Sequence, residues 1–205
     1  MGTKPACGSD LSRAAFFRSS IDKSIRLPRL VFVDPRYHEL DRLYTAHAEA
    51  AFQFLLSLTR SEADTKDLLQ DLFMRLAKNL PQEDTLGDER SWLLTVAYRL
   101  FVDSCRRRGA YTEALDRFAS EPLVLFKSSA DPDEEALRQM VETGLSTLPP
   151  EQRGVVYLKV WEGLTFDEIA SVLHIPANTA ASRYRYALDK LRNGLRPLHG
   201  ELHET

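Results

Sequence analysis

Arginine and lysine are concentrated in two short segments of the 205-residue chain. Residues 91–108 hold four arginines against one acid, and residues 177–196 hold four arginines and a lysine against one acid. Such side chains bind phosphate, and arginine also pairs with the edge of guanine. Hydroxyl and aromatic side chains, which can contact bases, lie among the basic residues. The two segments therefore predict two places of contact with nucleic acid.

The rest of the chain is acidic, so that the formal net charge is −3. Acids cluster at residues 62–71, 83–89 and 131–135. This balance argues against a protein that coats nucleic acid non-specifically. Basic segments on an acidic background instead predict that another partner supplies much of the affinity.

Residues that would support catalysis or hold a metal are scattered. The five histidines have no ligand spacing on one helix face, and no glycine-rich phosphate loop or nucleophile elbow occurs. We therefore expect no enzyme activity, no cofactor and no metal. Cys7 and Cys105 lie far apart, which favours a reduced, cytoplasmic protein over a disulfide. The sequence also predicts no membrane span and no secretory signal.

The basic segments fall on predicted helices, because apolar residues after Pro35 recur at three and four positions. The first apolar stripe is Leu40, Tyr44, Ala48, Ala51, Leu55 and Leu58. Ser61 and Ser91 are predicted to cap the next two helices, and Gly109 is predicted to end the third. Further helices are predicted from residue 134 and over residues 151–161. The fold class is therefore all-α, with two small helical domains joined by a flexible linker.

These domains are predicted to cover residues 36–109 and 134–198, with the linker at 110–133. Residues 1–35 show no clear period and are interpreted as a mobile N-terminal extension. Within the extension, residues 12–20 predict a short helix and residues 30–33 are open to a short strand.

The C-terminal domain contains a predicted helix-turn-helix. Thr165 and Glu168 have the spacing of a capping box at the start of a short helix. A tight turn at 174–176 follows, and Pro176 suits the first turn of a second helix. Such a second helix lies in the major groove of DNA while the first helix braces it. The buried side of the short helix is predicted to be Ile169, Ala170 and Leu173.

Two faces are predicted for the second helix. The inward face is Ala180, Tyr184, Ala187, Leu188 and Leu191. The candidate DNA contacts on the outward side are Asn178, Thr179, Ser182, Arg183, Arg185 and Tyr186. A solvated face of a plain helical bundle is the alternative for this helix taken alone.

Several segments resemble the extracytoplasmic-function (ECF) group of the sigma-70 family of bacterial RNA polymerase sigma factors. Leu-Pro-Pro-Glu-Gln-Arg at 148–153 and Trp-Glu-Gly-Leu-Thr-Phe-Asp-Glu-Ile-Ala at 161–170 are similar to the family's region four. Residues 64–73, which end in Asp-Leu-Leu-Gln-Asp-Leu-Phe, and Arg-Ser-Trp-Leu at 90–93 are similar to region two. The two motif sets occur in the family's order on either side of the predicted linker.

The resemblance implies an alternative sigma factor that binds core RNA polymerase, recognises promoter DNA and promotes transcription initiation. Region two of the family docks on the clamp helices of the polymerase. Here an acidic stripe with its flanking residues would do so: Asp64, Asp67, Leu68, Gln70 and Asp71. Lys66 weakens the acidity of this stripe. Thr65 is interpreted as a surface hydroxyl within it, and its phosphorylation, as a hypothesis, would restore the negative charge.

The resemblance also implies DNA contacts in both domains. The loop at 81–90 would hold a flipped base of the minus-ten element, and the helix after it would contact melted DNA. The candidates on that helix are Tyr98, Arg99, Phe101, Arg106 and Arg107. The helix-turn-helix would read the minus-thirty-five element of the double-stranded promoter. An anti-sigma factor is a further partner that the resemblance suggests.

Two other readings remain open at this point. A helix-turn-helix regulator of another class would need an α/β domain upstream, and the helical periods argue against one. A sigma-like decoy would keep the fold and bind an anti-sigma partner without directing transcription.

Overall fold

The computed structural model describes residues 35–78, 88–107, 123–126 and 128–201, with the side chains of residues 38–194 within these ranges. The short helix at 12–20, the strand at 30–33, most of the loop at 81–90 and the helix end at Gly109 lie outside the described residues, as does Cys7. Within the described ranges the chain forms helices and no β-strand, which confirms the all-α prediction. No helix of this described part is long and apolar enough to cross a bilayer.

Seven helices make up the described part of the chain. They are α1 (Pro35–Thr59), α2 (Glu62–Lys78), α3 (Glu89–Arg107), α4 (Pro132–Ser146), α5 (Pro150–Val160), α6 (Phe166–Leu173) and α7 (Ala177–Glu201). Helices α1 to α3 pack together as a first unit. Helices α4, α5 and α6 pack around α7 as a second unit. The two units also touch, because α5 packs on α1 and α6 packs on α3. Their buried apolar side chains form one continuous cluster.

The core of the first unit comes from the apolar faces of its three helices. Leu43, Phe54, Leu72 and Leu100 are fully buried there. Burying a side chain of this size contributes about 1.5–3 kcal/mol to the free energy of unfolding. This core holds the outward faces of α2 and α3 in fixed directions.

Helix α3 begins earlier than its predicted cap. Asp88, and not Ser91, caps the helix, because its Oδ1 accepts a hydrogen bond from the backbone N–H of Arg90 at 3.2 Å. The Ser91 hydroxyl donates to the same carboxylate instead of capping. An aspartate side chain satisfies the first backbone donors as well as serine does, and Glu89 in this first turn is also held by Arg42 of α1 at 3.0 Å.

Part of the predicted linker is packed against the second unit. Helix α4 starts at Pro132, with Asp131 accepting a hydrogen bond from the N–H of Asp133. The buried Glu142 of α4 accepts hydrogen bonds from the N–H groups of Leu125 at 2.7 Å and Phe126 at 3.0 Å. Residues 123–126 of the predicted linker are therefore held against α4.

Candidate nucleic-acid interface

The helix-turn-helix is built by local hydrogen bonds. The N–H of Glu168 donates to the Thr165 hydroxyl at 3.3 Å, and the N–H of Thr165 donates to the Glu168 carboxylate at 2.6 Å. These bonds complete the predicted capping box. The carboxylate of Glu168 accepts from the backbone N–H and the hydroxyl of Thr165, and both bonds lower the pKa of Glu168. His174 ends α6 with φ 52° and ψ 49°, and its N–H donates to the Ala170 carbonyl. The Pro176 carbonyl then accepts from Thr179 at 2.9 Å as α7 begins.

The buried faces of α6 and α7 differ from the prediction at three positions. Val172 is buried together with Ile169 and Leu173, whereas Ala170 is only half-buried. On α7, Ala180 and Ala187 form the seam against the core, while Leu188 is 40% exposed. Successive residues of a helix are rotated by about 100°, so Leu188 turns away from a seam that passes through Ala187.

The outward residues of α7 are not equally accessible. Asn178, Arg185 and Tyr186 are exposed, and Thr179 is half-buried. The Ser182 hydroxyl donates to the Thr179 carbonyl at 3.0 Å and so bonds within the helix. Arg183 is half-buried, and its charge acts on the nearby Tyr98 hydroxyl of α3. Arg183 was predicted to lie outward, and it is only partly exposed.

The candidate contacts on α3 separate into exposed and buried groups. Arg99, Arg106 and Arg107 are exposed, and Tyr98 is half-buried, which raises the pKa of its hydroxyl. Phe101 is only 1% exposed. Its ring lies in the core and cannot stack on a base from there, so its assignment as a contact for melted DNA is corrected. The spacing of Phe101 from Ala97 and Cys105, four residues each way, signals the core face.

Only some of the residues of the predicted acidic stripe on α2 lie at the surface. Asp67 and Gln70 are exposed, and Asp64 and Asp71 are half-buried. Leu68 is 4% exposed, so it belongs to the core and not to a docking surface. Its position one turn from Leu72 explains this, because residues four apart share a helix face.

Thr65 and Lys66 lie between the acids of the stripe, and the first of them departs from expectation. Thr65 is fully buried, and its hydroxyl shares a hydrogen bond of 2.7 Å with that of Thr59. The interpretation of Thr65 as a surface hydroxyl open to phosphorylation is therefore wrong for this folded state. Lys66 forms an ion pair of 3.0 Å with Glu62, one turn earlier on α2.

Both units of the chain match families of known proteins. Residues 43–111 match the family described as sigma-70 region 2, and residues 138–191 match the family described as sigma-70, region 4. The chain is 30% identical over 159 residues to the ECF RNA polymerase sigma factor SigL of Mycobacterium tuberculosis, covering 76% of this chain and 88% of SigL. The chain belongs to the ECF group of the sigma-70 family.

Other members show the range of the similarity. The ECF RNA polymerase sigma factor SigE of Mycolicibacterium smegmatis is 31% identical over 163 residues, which cover 76% of this chain and 61% of SigE. A solved structure of the sigma factor RpoE in complex with the anti-sigma factor NepR from Bartonella quintana has a TM-score of 0.60 and 20% identity. That match covers 77% of this chain and 97% of RpoE, and it shows a shared fold.

In this ECF-group chain the basic helix α3 packs on α6, the first helix of the helix-turn-helix. The Nε of Arg99 on α3 donates to Nε2 of His174 at the helix-turn-helix turn, at 2.9 Å. His174 was predicted only as a turn residue, and no helical period connects it with Arg99. The described residues contain no cluster of three or more histidine, cysteine or acidic side chains that could hold a metal. What the site offers is donors for phosphate and bases.

Proposed function

We propose that the chain is an alternative sigma factor that binds core RNA polymerase, recognises promoter DNA and promotes transcription initiation. The observation that carries the proposal is that three features occur in one chain. They are a capped helix-turn-helix, a second basic helix and an acidic stripe on the surface of α2. The family matches support it, because regions two and four occur in the order that such a protein needs. The chain would act without catalysing a reaction itself, in the cytoplasm, where the polymerase works.

The polymerase contact would be made by the first unit. Asp67 and Gln70 lie exposed on α2, with Asp64 and Asp71 half-exposed at their sides. An acidic surface of this kind pairs with basic residues of a partner helix and steers the encounter. The clamp helices of core polymerase are the proposed partner.

The promoter contacts would be divided between the two units. Arg99, Arg106 and Arg107 of α3 would hold melted DNA of the minus-ten element. The helix-turn-helix would read the minus-thirty-five element, and its base and phosphate contacts would be Asn178, Thr179, Ser182, Arg183, Arg185 and Tyr186. An anti-sigma factor would regulate the chain, as one binds the RpoE protein of similar fold.

Promoter binding is expected to depend on core polymerase. The net charge of −3 opposes binding to DNA by the chain alone, and Arg99 is hydrogen-bonded to His174 within the molecule. In a gel-shift assay at physiological salt, a promoter fragment should shift with chain and core together and not with the chain alone. Tight, sequence-specific binding by the isolated chain would contradict the proposal.

Arg183→Ala is expected to weaken recognition of the minus-thirty-five element by roughly 1–3 kcal/mol, because a bidentate contact to a base edge would be lost. The measurement is the affinity of the reconstituted holoenzyme for promoters with and without that element. Arg192→Ala, on the same helix and exposed, is the matched control and should have little effect. An equal loss on both promoters would show that Arg183 contacts phosphate only.

A further inference from the structure

One face of α4 holds the segment through which the chain enters the second unit. The N–H groups of Leu125 and Phe126 donate to Oε1 of Glu142, at 2.7 and 3.0 Å. Further along the chain, the N–H of Ser129 donates to Oε2 of Glu135 at 3.0 Å. Two carboxylates of α4 therefore bind the backbone of this segment at two separate places. We call the segment the arm, and it consists of residues 123–126, 128 and 129.

Arg138 joins the two carboxylates that bind the arm. It lies between Glu135 and Glu142 on the same face of α4, because residues three and four apart are neighbours on a helix. Its Nε donates to Oε2 of Glu135 at 2.9 Å, and its Nη1 donates to Oε2 of Glu142 at 2.5 Å. The side chains of Arg138 and Glu142 are only 12% and 8% exposed. We call these three residues of α4 the anchor.

Apolar side chains also fix the arm. Leu123, Leu125 and Phe126 are buried. The ring of Phe126 lies 5.7 Å from the ring of Trp161, which follows α5 in the second unit. Burial of side chains of this size contributes about 1.5–3 kcal/mol each. The arm is therefore a packed part of the second unit and not a chance contact at its surface.

The arm folds back along α4. Leu125 is held at Glu142, in the C-terminal half of the helix, whereas Ser129 is held at Glu135 in its first turns. These two glutamates are two turns apart, so the arm runs antiparallel to α4 over roughly 10 Å. The chain therefore meets the second unit at the arm, well before α4 itself begins.

Folding the arm back shortens the connection between the two units. Helix α3 ends at Arg107, and an extended chain spans at most about 3.3–3.6 Å per residue. Residues 108–123 can therefore bridge at most about 55 Å. With the arm released, the connection would run on to Pro132 and could bridge up to about 30 Å more. At 3.4 Å per base pair, this difference equals roughly nine base pairs of DNA.

We propose that the anchor limits how long a stretch of DNA can separate the two promoter elements that the chain reads. We call this stretch the spacer. The proposal rests on the proposed function, in which α3 contacts the minus-ten element and the helix-turn-helix reads the minus-thirty-five element. A tether that is too short to span two sites prevents simultaneous binding, whereas a tether with slack does not. The anchor therefore excludes promoters with long spacers and leaves short spacers unaffected.

Glu142→Ala is the variant that releases the arm, because the N–H groups of Leu125 and Phe126 lose their shared acceptor. Glu142→Gln is the conservative variant, since an amide oxygen still accepts from both N–H groups. Asp133→Ala is the matched control, because Asp133 is exposed on the same helix and its loss changes the charge equally.

Hydrogen exchange at the amides of Leu125 and Phe126 measures whether the arm is held, and it needs neither polymerase nor DNA. In Glu142→Ala both amides should exchange roughly tenfold or more faster than in wild type, because local opening becomes easier. In Asp133→Ala they should exchange at the wild-type rate.

Transcription from promoters of different spacer length measures the reach. Holoenzyme made with each variant is assayed on a promoter found among genomic fragments, with the spacer shortened or lengthened in steps of one base pair. Each yield is divided by the yield of the same holoenzyme at the native spacer. At the lengthened spacers Glu142→Ala should keep roughly threefold or more relative yield than wild type, with no difference at shortened spacers. Glu142→Gln and Asp133→Ala should follow wild type.

Added base pairs also rotate the two elements about the DNA axis. This rotation is the same for every variant, so the comparison between variants at one spacer isolates the reach. A second unit that is merely weakened would lose yield at short and long spacers alike.

A lengthened connection tests the same proposal without a change in α4. Insertion of about eight glycine and serine residues between Ser120 and Glu121, inside the predicted linker, adds up to about 28 Å of reach. This chain should tolerate long spacers as Glu142→Ala does, while Leu125 and Phe126 exchange as in wild type. It decides the question if circular dichroism shows that Glu142→Ala does not fold.

Three results would overturn the proposal. Unchanged exchange in Glu142→Ala would mean that the anchor does not hold the arm. Faster exchange with an unchanged spacer profile, in the variant and in the lengthened chain, would mean that the connection does not limit the spacer. Absence of transcripts with wild-type holoenzyme would refute the proposed function and the role in spacing with it, while the exchange rates would still show whether the arm is held.

Discussion

Asp67→Lys is expected to abolish the binding of core RNA polymerase while the chain stays folded. Asp67 is exposed on α2, so the change removes no core packing. A lysine there would face the basic side chains that the aspartate is proposed to pair with. Like charges facing each other at an interface cost on the order of 3 kcal/mol, or roughly a hundredfold in Kd. The Kd for purified core polymerase, measured by fluorescence anisotropy, gives the result directly.

Asp41→Lys is the matched control for this experiment. Asp41 is exposed on α1 of the same unit, and its replacement changes the net charge by the same amount. The control should bind core polymerase within about twofold of wild type if the effect is local, because screening weakens more distant charges. Equal binding by wild type and Asp67→Lys would place the docking surface elsewhere on the chain.

Arg153→Met is expected to lower the free energy of unfolding by about 2–4 kcal/mol. The methionine fills much of the same volume but leaves the carbonyls of Ser57, Leu58 and Leu148 without the donor they have now. Each buried carbonyl that loses its partner costs about 1–3 kcal/mol, less what water can restore. Urea denaturation followed by circular dichroism measures the change.

Arg153→Lys should fall between wild type and Arg153→Met, because an ammonium lacks the planar fork that reaches several carbonyls at once. Arg192→Met, at an exposed position of α7, should stay within about 0.5 kcal/mol of wild type. A loss below about 1 kcal/mol for Arg153→Met would show that solvent satisfies these carbonyls and that the guanidinium is not a structural link.

The helix-turn-helix could be predicted from the sequence because its signals are local. The capping box of Thr165 and Glu168 and the proline that opens α7 each act within a few residues. The predicted start of α3 at Ser91 was wrong, since Asp88 is an equally good cap within one turn and is the one used. The contact of Glu89 with Arg42, 47 residues earlier in the chain, favours the earlier start, and such a contact has no sequence period.

The errors in the candidate sites have a common cause. Thr65, Leu68 and Phe101 were assigned to surfaces by their places in family motifs, yet all three are buried. A family motif indicates which residues belong to one functional region. It does not indicate which of their side chains point to the surface and which point into the core. For Leu68 and Phe101 the four-residue apolar spacing could have corrected the assignment.

The contact of Arg153 with α1 could not be predicted from periodicity at all. Arg153 and its acceptor Ser57 are 96 residues apart in the chain. The available signals were an arginine and a glycine side by side, directly before the apolar run at residues 155–158. Both are explained only by the approach of α1, which appears when the two units are assembled.

Run-off transcription with purified core polymerase on genomic DNA fragments tests the central claim most directly. If the chain is a sigma factor, core polymerase with the chain should produce transcripts from discrete start sites. Core polymerase alone, or with the Asp67→Lys chain, should not. Absence of any chain-dependent transcript, while the chain still binds core polymerase or an anti-sigma protein, would contradict the account and identify the chain as a sigma-like decoy.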